Sequence, residues 1–245
     1  MKQLVSTNGI PPPNEMIIFD KYLYISNMND TIVKISLENT IDINANWASG
    51  LSIPHGMGIY KEKLYVANYN GAISQIDLSS GIVNHTWVSG LGNLHGLDID
   101  VSSQMLYVTS SDTIYQVDLS SGIVNPNWIS GLSNLHGLAI DISSQMLYVT
   151  SSDTITQIDL SSGTVIPNWA TGLNNPRDIA ISGQNMYVVN DNTGNNATIM
   201  KIDLVTGAII NATWQTNLNI PCAITSYQQN IYIASVWTLN VYNDI

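Results

Sequence analysis

Cysteine, phenylalanine, arginine and histidine are all scarce in this chain of 245 residues. It has one cysteine, one phenylalanine and four histidines, and Arg177 is its single arginine. One cysteine cannot build an internal disulfide framework or a cysteine-based zinc site. Seven basic residues stand against 18 acidic ones, for a net charge of −11 at pH 7. Binding to nucleic acid or to an anionic membrane needs a basic surface, so we expect neither partner.

Long apolar runs and helical periodicity are also missing. No segment approaches the roughly 18 consecutive apolar residues of a membrane-spanning helix. The first residues, "MKQLVSTNGIPPP", lack the apolar core of a secretory signal. We therefore expect a soluble protein, and its acidity favours solubility. Abundant asparagine and isoleucine beside a single arginine suggest an AT-rich genome, such as that of a large virus.

An internal repeat dominates the sequence. The segment "SSQMLYVTSSDTI" stands at 102–114 and again, unchanged, at 143–155, a step of 41 residues. Looser copies place a tyrosine at the same point of six units: Tyr24, Tyr65, Tyr107, Tyr148, Tyr187 and Tyr232. A tryptophan follows in five of them: Trp47, Trp87, Trp128, Trp169 and Trp214. These two series are typical of aromatic packing between repeated units. Six copies of one unit predict that the whole chain forms a single domain.

Each unit has the pattern of four short strands. Apolar and polar residues alternate with a period of two, and clusters of Ser, Asn, Gly and Asp separate the runs. Four strands in about 40 residues are typical of a β-propeller blade. We predict an all-β, six-bladed β-propeller of four antiparallel strands per blade. The predicted blades are 14–50, 51–90, 91–131, 132–172, 173–217, and 218–245 completed by 1–13.

The two ends of the chain predict how the ring closes. The last unit stops after three strands, and "KQLVST" near the start aligns with a fourth strand. This N-terminal strand would complete the final blade and remove an exposed sheet edge. We expect the closed ring to be a monomer.

The rarest reactive residues fall at one position of the repeat. The pentapeptide "NLHGL" occurs twice, and aligning all six units on its histidine gives Asn14, His55, His95, His136, Arg177 and Cys222. The first strand of a propeller blade lines the central channel, so these residues are predicted to surround the channel mouth. Three interpretations stay open: structural hydrogen bonding to neighbouring backbone, binding of a ligand, or a metal site. Three neutral imidazoles on adjacent blades, those of His55, His95 and His136, could hold zinc or another divalent ion if their ring nitrogens converge. A divalent metal in the central channel, zinc or calcium, is therefore the candidate cofactor.

Residues around this predicted ring supply further candidates. Tyr69 and Trp237 fall in loops on the same face, where an exposed aromatic ring can stack on a sugar or another flat ligand. Glu15, Asp98 and Asp178 stand near the ring, either as general bases or as solvated or turn-capping acids. The repeated Asp77, Asp118, Asp159 and Asp203 precede "LSSG"-type turns and are interpreted as turn caps.

The segment 53–81, "IPHGMGIYKEKLYVANYNGAISQIDLSSG", resembles an NHL-type propeller repeat. The likeness extends from about residue 14 to the end of the chain. It implies the propeller fold, in a family that includes scaffolds, carbohydrate or nucleic-acid binders and a few metal-dependent lactonases and lyases. The pattern is also similar to amidating lyases, which would make His55, His95 and His136 zinc ligands and Arg177 the partner of a substrate anion. Streptogramin lyases, also similar, pair histidine with a glutamate base.

Two functions from different classes follow. The first is a non-enzymatic binding or scaffold protein that recognises a small molecule, a carbohydrate or a protein partner at the channel mouth. The second is a metal-dependent lyase or hydrolase that acts inside the channel. The repeated, nearly identical blades and the acidity of the chain favour the first.

Overall fold

The computed structural model describes residues 2–6, 11–38, 42–191, 197–236 and 238–244. Within these ranges the chain forms 24 β-strands in six antiparallel sheets of four strands each. The predicted all-β, six-bladed propeller is confirmed. The described residues contain no helix, so none of them forms a long apolar helix that could cross a membrane.

Strands are numbered along the chain, and each blade contributes one strand to each of four concentric positions. The innermost strands are β2 (Pro13–Phe19), β6 (Pro54–Tyr60), β10 (Leu97–Asp100), β14 (Leu138–Asp141), β18 (Pro176–Ser182) and β22 (Pro221–Tyr227). The second strands are β3 (Tyr22–Asn27), β7 (Lys63–Asn68), β11 (Met105–Thr109), β15 (Met146–Thr150), β19 (Asn185–Asn190) and β23 (Asn230–Ser235). The third are β4 (Thr31–Ser36), β8 (Ile73–Asp77), β12 (Thr113–Asp118), β16 (Ile155–Asp159), β20 (Thr198–Asp203) and β24 (Thr238–Asn243). The outermost are β5 (Ile43–Ser49), β9 (Val83–Val88), β13 (Val124–Ser130), β17 (Val165–Ala170), β21 (Ile209–Gln215) and β1 (Lys2–Ser6).

The N-terminal strand closes the ring, as predicted. Strand β1 pairs antiparallel with β24, in a register that joins Lys2 to Val241 and Ser6 to Thr238. The sixth sheet therefore has the order β1-β24-β23-β22. The six innermost strands are neighbours all the way round, β22 next to β2 included, and they enclose a central channel.

The hydrophobic core lies between the blades. Six buried clusters are present, each built from residues of two adjacent blades. Every repeated tyrosine lies in one of these clusters, and in the first five blades its ring lies 4.6–5.0 Å from the ring of the repeated tryptophan. The interpretation of both series as packing between blades is confirmed.

The aspartates before the outer turns cap those turns, as predicted. Asp118 Oδ1 accepts hydrogen bonds from the backbone N–H groups of Ser120 and Ser121 and from both hydroxyls, at 2.6–2.9 Å. These bonds lower the pKa of Asp118 to about 2. Equivalent bonds form at Asp77, Asp159 and Asp203.

Candidate functional site

A cavity of about 240 Å³ opens at one end of the channel, the channel mouth. All six aligned ring residues line it: Asn14, His55, His95, His136, Arg177 and Cys222. Each stands at or just before the start of an innermost strand. The alignment of six loosely similar units therefore places six side chains around one space.

Local backbone geometry presents each ring residue to the cavity. The preceding residue, such as Pro54 or Leu135, is buried, whereas the ring histidines His55 and His136 are partly exposed. Two residues before the ring position, the chain adopts positive φ in four blades: Ile53 (43°), Asn134 (49°), Asn175 (53°) and Ile220 (50°). Asparagine tolerates this conformation, but a β-branched isoleucine is strained in it. The surrounding fold therefore holds these residues in a turn, and the turn exposes the ring residue that follows two positions later.

The glycine after each histidine joins neighbouring blades through the backbone. Gly56 N donates to His95 O (2.7 Å), Gly96 N to His136 O (3.0 Å), and Gly137 N to Arg177 O (2.7 Å). No side chain fits there, because a Cβ added at Gly137 would lie 2.3 Å from Arg177 O. In the "HG" pair, the glycine and the backbone carbonyl of the ring residue thus have a structural role: they join neighbouring blades.

Three blades lack this glycine; in two of them a carboxyl group makes the link, and the third, the sixth blade, has Ala223 at this position. Glu15 and Asp178 occupy the glycine position of the first and fifth blades. Glu15 Oε1 accepts from Met57 N (2.8 Å), and Asp178 Oδ2 accepts from Ile224 N (2.8 Å), in each case on the next blade. Asp98, two residues further along its strand, accepts in the same way from the N–H of the next blade, at 2.9 Å.

These contacts correct the prediction that the three acids are solvated or cap turns. Glu15, Asp98 and Asp178 line a second cavity of about 200 Å³ further down the channel, and Glu15 and Asp178 also border the mouth. The sequence signal that could have indicated this role is the acid in place of glycine at the same repeat position, at Glu15 and Asp178.

The imidazole rings make none of these structural bonds. Throughout the described parts of the chain, no protein group hydrogen-bonds a ring nitrogen of His55, His95 or His136. Their backbone carbonyls do accept bonds, His55 O from Ser26 Oγ and His136 O from Thr109 Oγ1, each at 2.8 Å. Structural hydrogen bonding therefore occupies the histidine backbone and leaves the side chains free.

The three imidazoles lie side by side around the mouth. The ring centres of His55 and His95 are 5.2 Å apart, and those of His95 and His136 are 5.5 Å apart. Tyr69, 40% exposed, lies beside the first two, with its ring centre 6.2 Å from that of His55 and 5.8 Å from that of His95. One side of the mouth is thus lined by the three imidazoles, and Tyr69 lies next to them outside the lining of the cavity. We call these four rings the aromatic arc. Trp237 falls outside the described residues.

The other half of the mouth is polar. The exposed guanidinium group of Arg177 contacts Asp191, with Nη2 at 2.7 Å from Oδ2. Asn14 Nδ2 donates to Pro54 O (2.8 Å), and Cys222 Sγ donates to Ile220 O (3.2 Å). Burial raises the pKa of the Cys222 thiol, which therefore stays protonated at neutral pH. Asp191, the partner of the only arginine, was not anticipated from the sequence.

Burial keeps the histidines uncharged. It lowers the pKa of His55 to about 4, and the neighbouring His95 and His136 add to the effect. Burial also lowers the pKa of His95, and the neighbouring His136 adds a smaller contribution. Burial lowers the pKa of His136 as well, with a smaller contribution from the charge of Arg177. At neutral pH each imidazole is then neutral, with one nitrogen that donates a hydrogen bond and one that accepts.

The channel carboxyl groups hold protons more tightly than usual. Burial raises the pKa of Asp98 to about 6 and that of Asp178 to about 7. For Glu15, burial is again the main cause, and the charge of Asp178 raises its pKa further. Three carboxyl groups around one desolvated channel favour the neutral form over the charged one.

These shifts predict how stability depends on pH. Unfolded, Glu15 loses its proton near pH 4.5, whereas in the folded channel it keeps the proton to higher pH. Its contribution to stability is therefore complete below pH 4.5 and is lost as the pH rises through the folded pKa. Glu15→Gln keeps an oxygen that accepts from Met57 N but cannot ionise, so we expect this variant to gain stability relative to the parent between pH 5 and pH 8.

Urea unfolding of the parent and variant at both pH values measures the effect. Glu62→Gln is the matched control, because it removes the same charge from an exposed position outside the channel. A difference between parent and Glu15→Gln that is the same at pH 5 and pH 8, or no larger than that of the control, would contradict this account.

Metal binding by the histidines stays a prediction. In the ranges that the structure describes, no group of three or more His, Cys, Asp or Glu side chains has the arrangement to hold a metal ion as it stands. The two neighbouring imidazole pairs are nevertheless spaced as pairs of ligands on one tetrahedral zinc would be, with ring centres roughly 5 Å apart.

Comparison with known proteins establishes the fold alone. By sequence, no family model and no curated protein matches the chain. By structure, the chain is similar to one in a nidogen/laminin complex, at 16% identity and a TM-score of 0.74, over 91% of this chain and 93% of that one. It is also similar to an auxiliary nutrient binding protein from Bacteroides thetaiotaomicron, at 12% identity and a TM-score of 0.77, over 97% of this chain and 70% of that one. A gluconolactonase from Xanthomonas campestris is similar at 13% identity and a TM-score of 0.77, over 98% of this chain and 89% of that one.

Proposed function

We propose that this protein binds a small ligand in the channel mouth and has no catalytic activity of its own. One observation carries the proposal: three neutral imidazoles, those of His55, His95 and His136, face one cavity with no hydrogen-bond partner in the described protein. Polar groups that a fold places in a partly buried cavity are normally satisfied by protein, water or ligand. Here the backbone holds the ring together, and the side chains remain available.

The fold is compatible with this function. One structurally similar propeller is a nutrient binding protein, so this architecture serves binding elsewhere. The segment 53–81 supports assignment of the blades to the NHL type. Nucleic acid is an unsuitable ligand, because the net charge is −11 and the one arginine at the mouth is already paired with Asp191.

The alternative is a metal-dependent lyase or hydrolase. It is favoured by the spacing of the imidazole pairs and by a fold that is also used by a gluconolactonase. In that case His55, His95 and His136 would hold a divalent metal, of which zinc suits three imidazoles best, and Arg177 would bind a substrate anion. Elemental analysis of purified protein decides this point: stoichiometric metal supports the alternative, and its absence supports simple binding.

Thermal-shift screening tests the proposed binding function. The parent is screened against neutral, anionic and cationic small molecules, with zinc and calcium chloride included. We expect at least one compound to raise the melting temperature of the parent but not that of the double variant His95→Asn, His136→Asn. His85→Asn, on the exposed outermost strand β9, is the matched control and should respond like the parent.

A screen in which no compound stabilises the parent would contradict binding at the mouth. So would compounds that stabilise the parent and the double variant equally, because their site would then lie elsewhere.

A further inference from the structure

Resting on the proposed function, we infer that the ligand of the channel mouth is a neutral, hydroxyl-rich ring, a monosaccharide or a cyclic polyol. Hydrogen-bonding chemistry, charge, size and the placement of Tyr69 each bear on this inference.

Hydrogen-bonding chemistry is the first argument. Each neutral imidazole has one donor and one acceptor nitrogen, so the three histidines that line the cavity, His55, His95 and His136, carry three of each. A hydroxyl group both donates and accepts, and a ring with several hydroxyls can therefore satisfy both kinds of nitrogen. A carboxylate group only accepts hydrogen bonds and would leave the acceptor nitrogens unsatisfied, and a phosphate group accepts through most of its oxygens. A metal ion would satisfy the acceptor nitrogens and none of the donors.

Charge is the second argument. The one cation of the mouth, Arg177, lies 2.7 Å from the carboxylate of Asp191, and this contact neutralises it. The carboxyl groups of Glu15 and Asp178 below the histidines add negative charge whenever they ionise. An anionic ligand would also have to approach a protein of net charge −11. A neutral ligand meets neither obstacle.

Size and shape are the third argument. The cavity measures about 240 Å³, below the range of about 300–1,000 Å³ typical of drug-sized ligands. It suits one small ring. Tyr69 is 40% exposed and lies next to the cavity, beside His55 and His95, so its ring is within reach of a ligand that these two imidazoles hold. A sugar ring has an apolar C–H face and a polar hydroxyl edge, which match the aromatic face and the imidazole nitrogens of the aromatic arc.

Nitrogen-15 labelling of histidine provides a direct test. The chain has four histidines, three at the mouth and His85 on the exposed outermost strand β9, which acts as an internal control. The neutral probes are D-glucose, D-galactose and myo-inositol; the charged ones are D-gluconate, inorganic phosphate and zinc chloride. We expect at least one neutral probe to shift the ring-nitrogen resonances of His55, His95 and His136 at millimolar concentration while that of His85 stays unchanged.

Variants of Tyr69 test the stacking. We expect Tyr69→Ala to weaken binding of the neutral probe about threefold to tenfold, the scale of one aromatic contact. Tyr69→Phe keeps the ring and should bind like the parent. Both substitutions lie in an exposed loop and leave the strands intact.

Each other outcome overturns the inference. If gluconate, phosphate or zinc shifts the three mouth resonances and the neutral probes do not, the ligand class is wrong while binding at the mouth stands. If no probe shifts them, the neutral-ring class is wrong, and the broader thermal screen decides whether the mouth binds anything at all. Neutral probes that bind equally well to Tyr69→Ala would contradict the stacking geometry.

Discussion

Deletion of residues 2–6 should lower the melting temperature by about 6–12 °C, because the loss of a whole strand costs about 3 kcal/mol or more. These residues form β1, which pairs with β24 and completes the sixth blade. Without it, β24 becomes an open edge, and the two ends of the chain no longer meet in one sheet. Thermal unfolding followed by circular dichroism measures the change.

A transplanted strand provides the control. The start of β1 lies opposite the end of β24, since Lys2 pairs with Val241. Residues 2–6 can therefore be moved behind the C-terminus through a short glycine turn, where they would pair with β24 as a hairpin. This variant should recover most of the lost stability. A deletion that melts within about 2 °C of the parent would show that closure by β1 contributes little.

Gly137→Ala should have a similarly large effect, a loss of about 3 kcal/mol or more, since overpacking against rigid backbone cannot relax easily. The added Cβ would lie 2.3 Å from Arg177 O and 2.7 Å from the Cα of Asp178. Both atoms belong to the backbone of the next blade, so the fourth and fifth blades would have to separate. The bond from Gly137 N to Arg177 O would be lost with them.

Gly131→Ala separates this steric cost from the general cost of replacing glycine. Gly131 has φ of 81°, and a Cβ there would meet nothing within 4 Å. Its replacement costs only the left-handed conformation, about 1–2 kcal/mol. Urea unfolding of both variants should rank Gly137→Ala as clearly the more damaging. An equal or smaller loss at Gly137 would contradict the close approach of the two blades.

The architecture could be predicted from the sequence because it is repetitive. The tyrosine represented by Tyr107 recurs six times at a nearly constant step, five times with a tryptophan after it, and six copies leave few alternatives to a ring of blades. The same alignment placed Arg177 and Cys222 beside the histidines, although their segments differ from "NLHGL". Because the unit is repeated, the positions of these ring residues could be predicted even in the blades that least resemble the others.

The chemistry of the channel could not be predicted in the same way. The bonds that Met57 N donates to Glu15 and Ile224 N donates to Asp178 join residues more than 40 positions apart, and nothing local in the sequence specifies such partners. The ion pair of Arg177 with Asp191 depends on the register in which strand β18 pairs with β19, since Pro176 lies opposite Asn190, and the sequence alone does not fix that register. The spacing of the histidines also does not show whether the imidazole or the backbone carbonyl of each histidine makes the hydrogen bonds between blades. That depends on the three-dimensional geometry of the mouth.

The central claim is that the glycines and backbone carbonyls hold the blades together while the imidazoles of His95 and His136 serve a ligand. The free energy of unfolding of the double variant His95→Asn, His136→Asn, measured without ligand, tests it most directly. We predict a value within about 0.5 kcal/mol of the parent, as for substitutions at partly exposed positions that break no hydrogen bond of the fold. A loss of roughly 1–3 kcal/mol, the cost of breaking buried hydrogen bonds, would show that the imidazoles are structural and would contradict the claim.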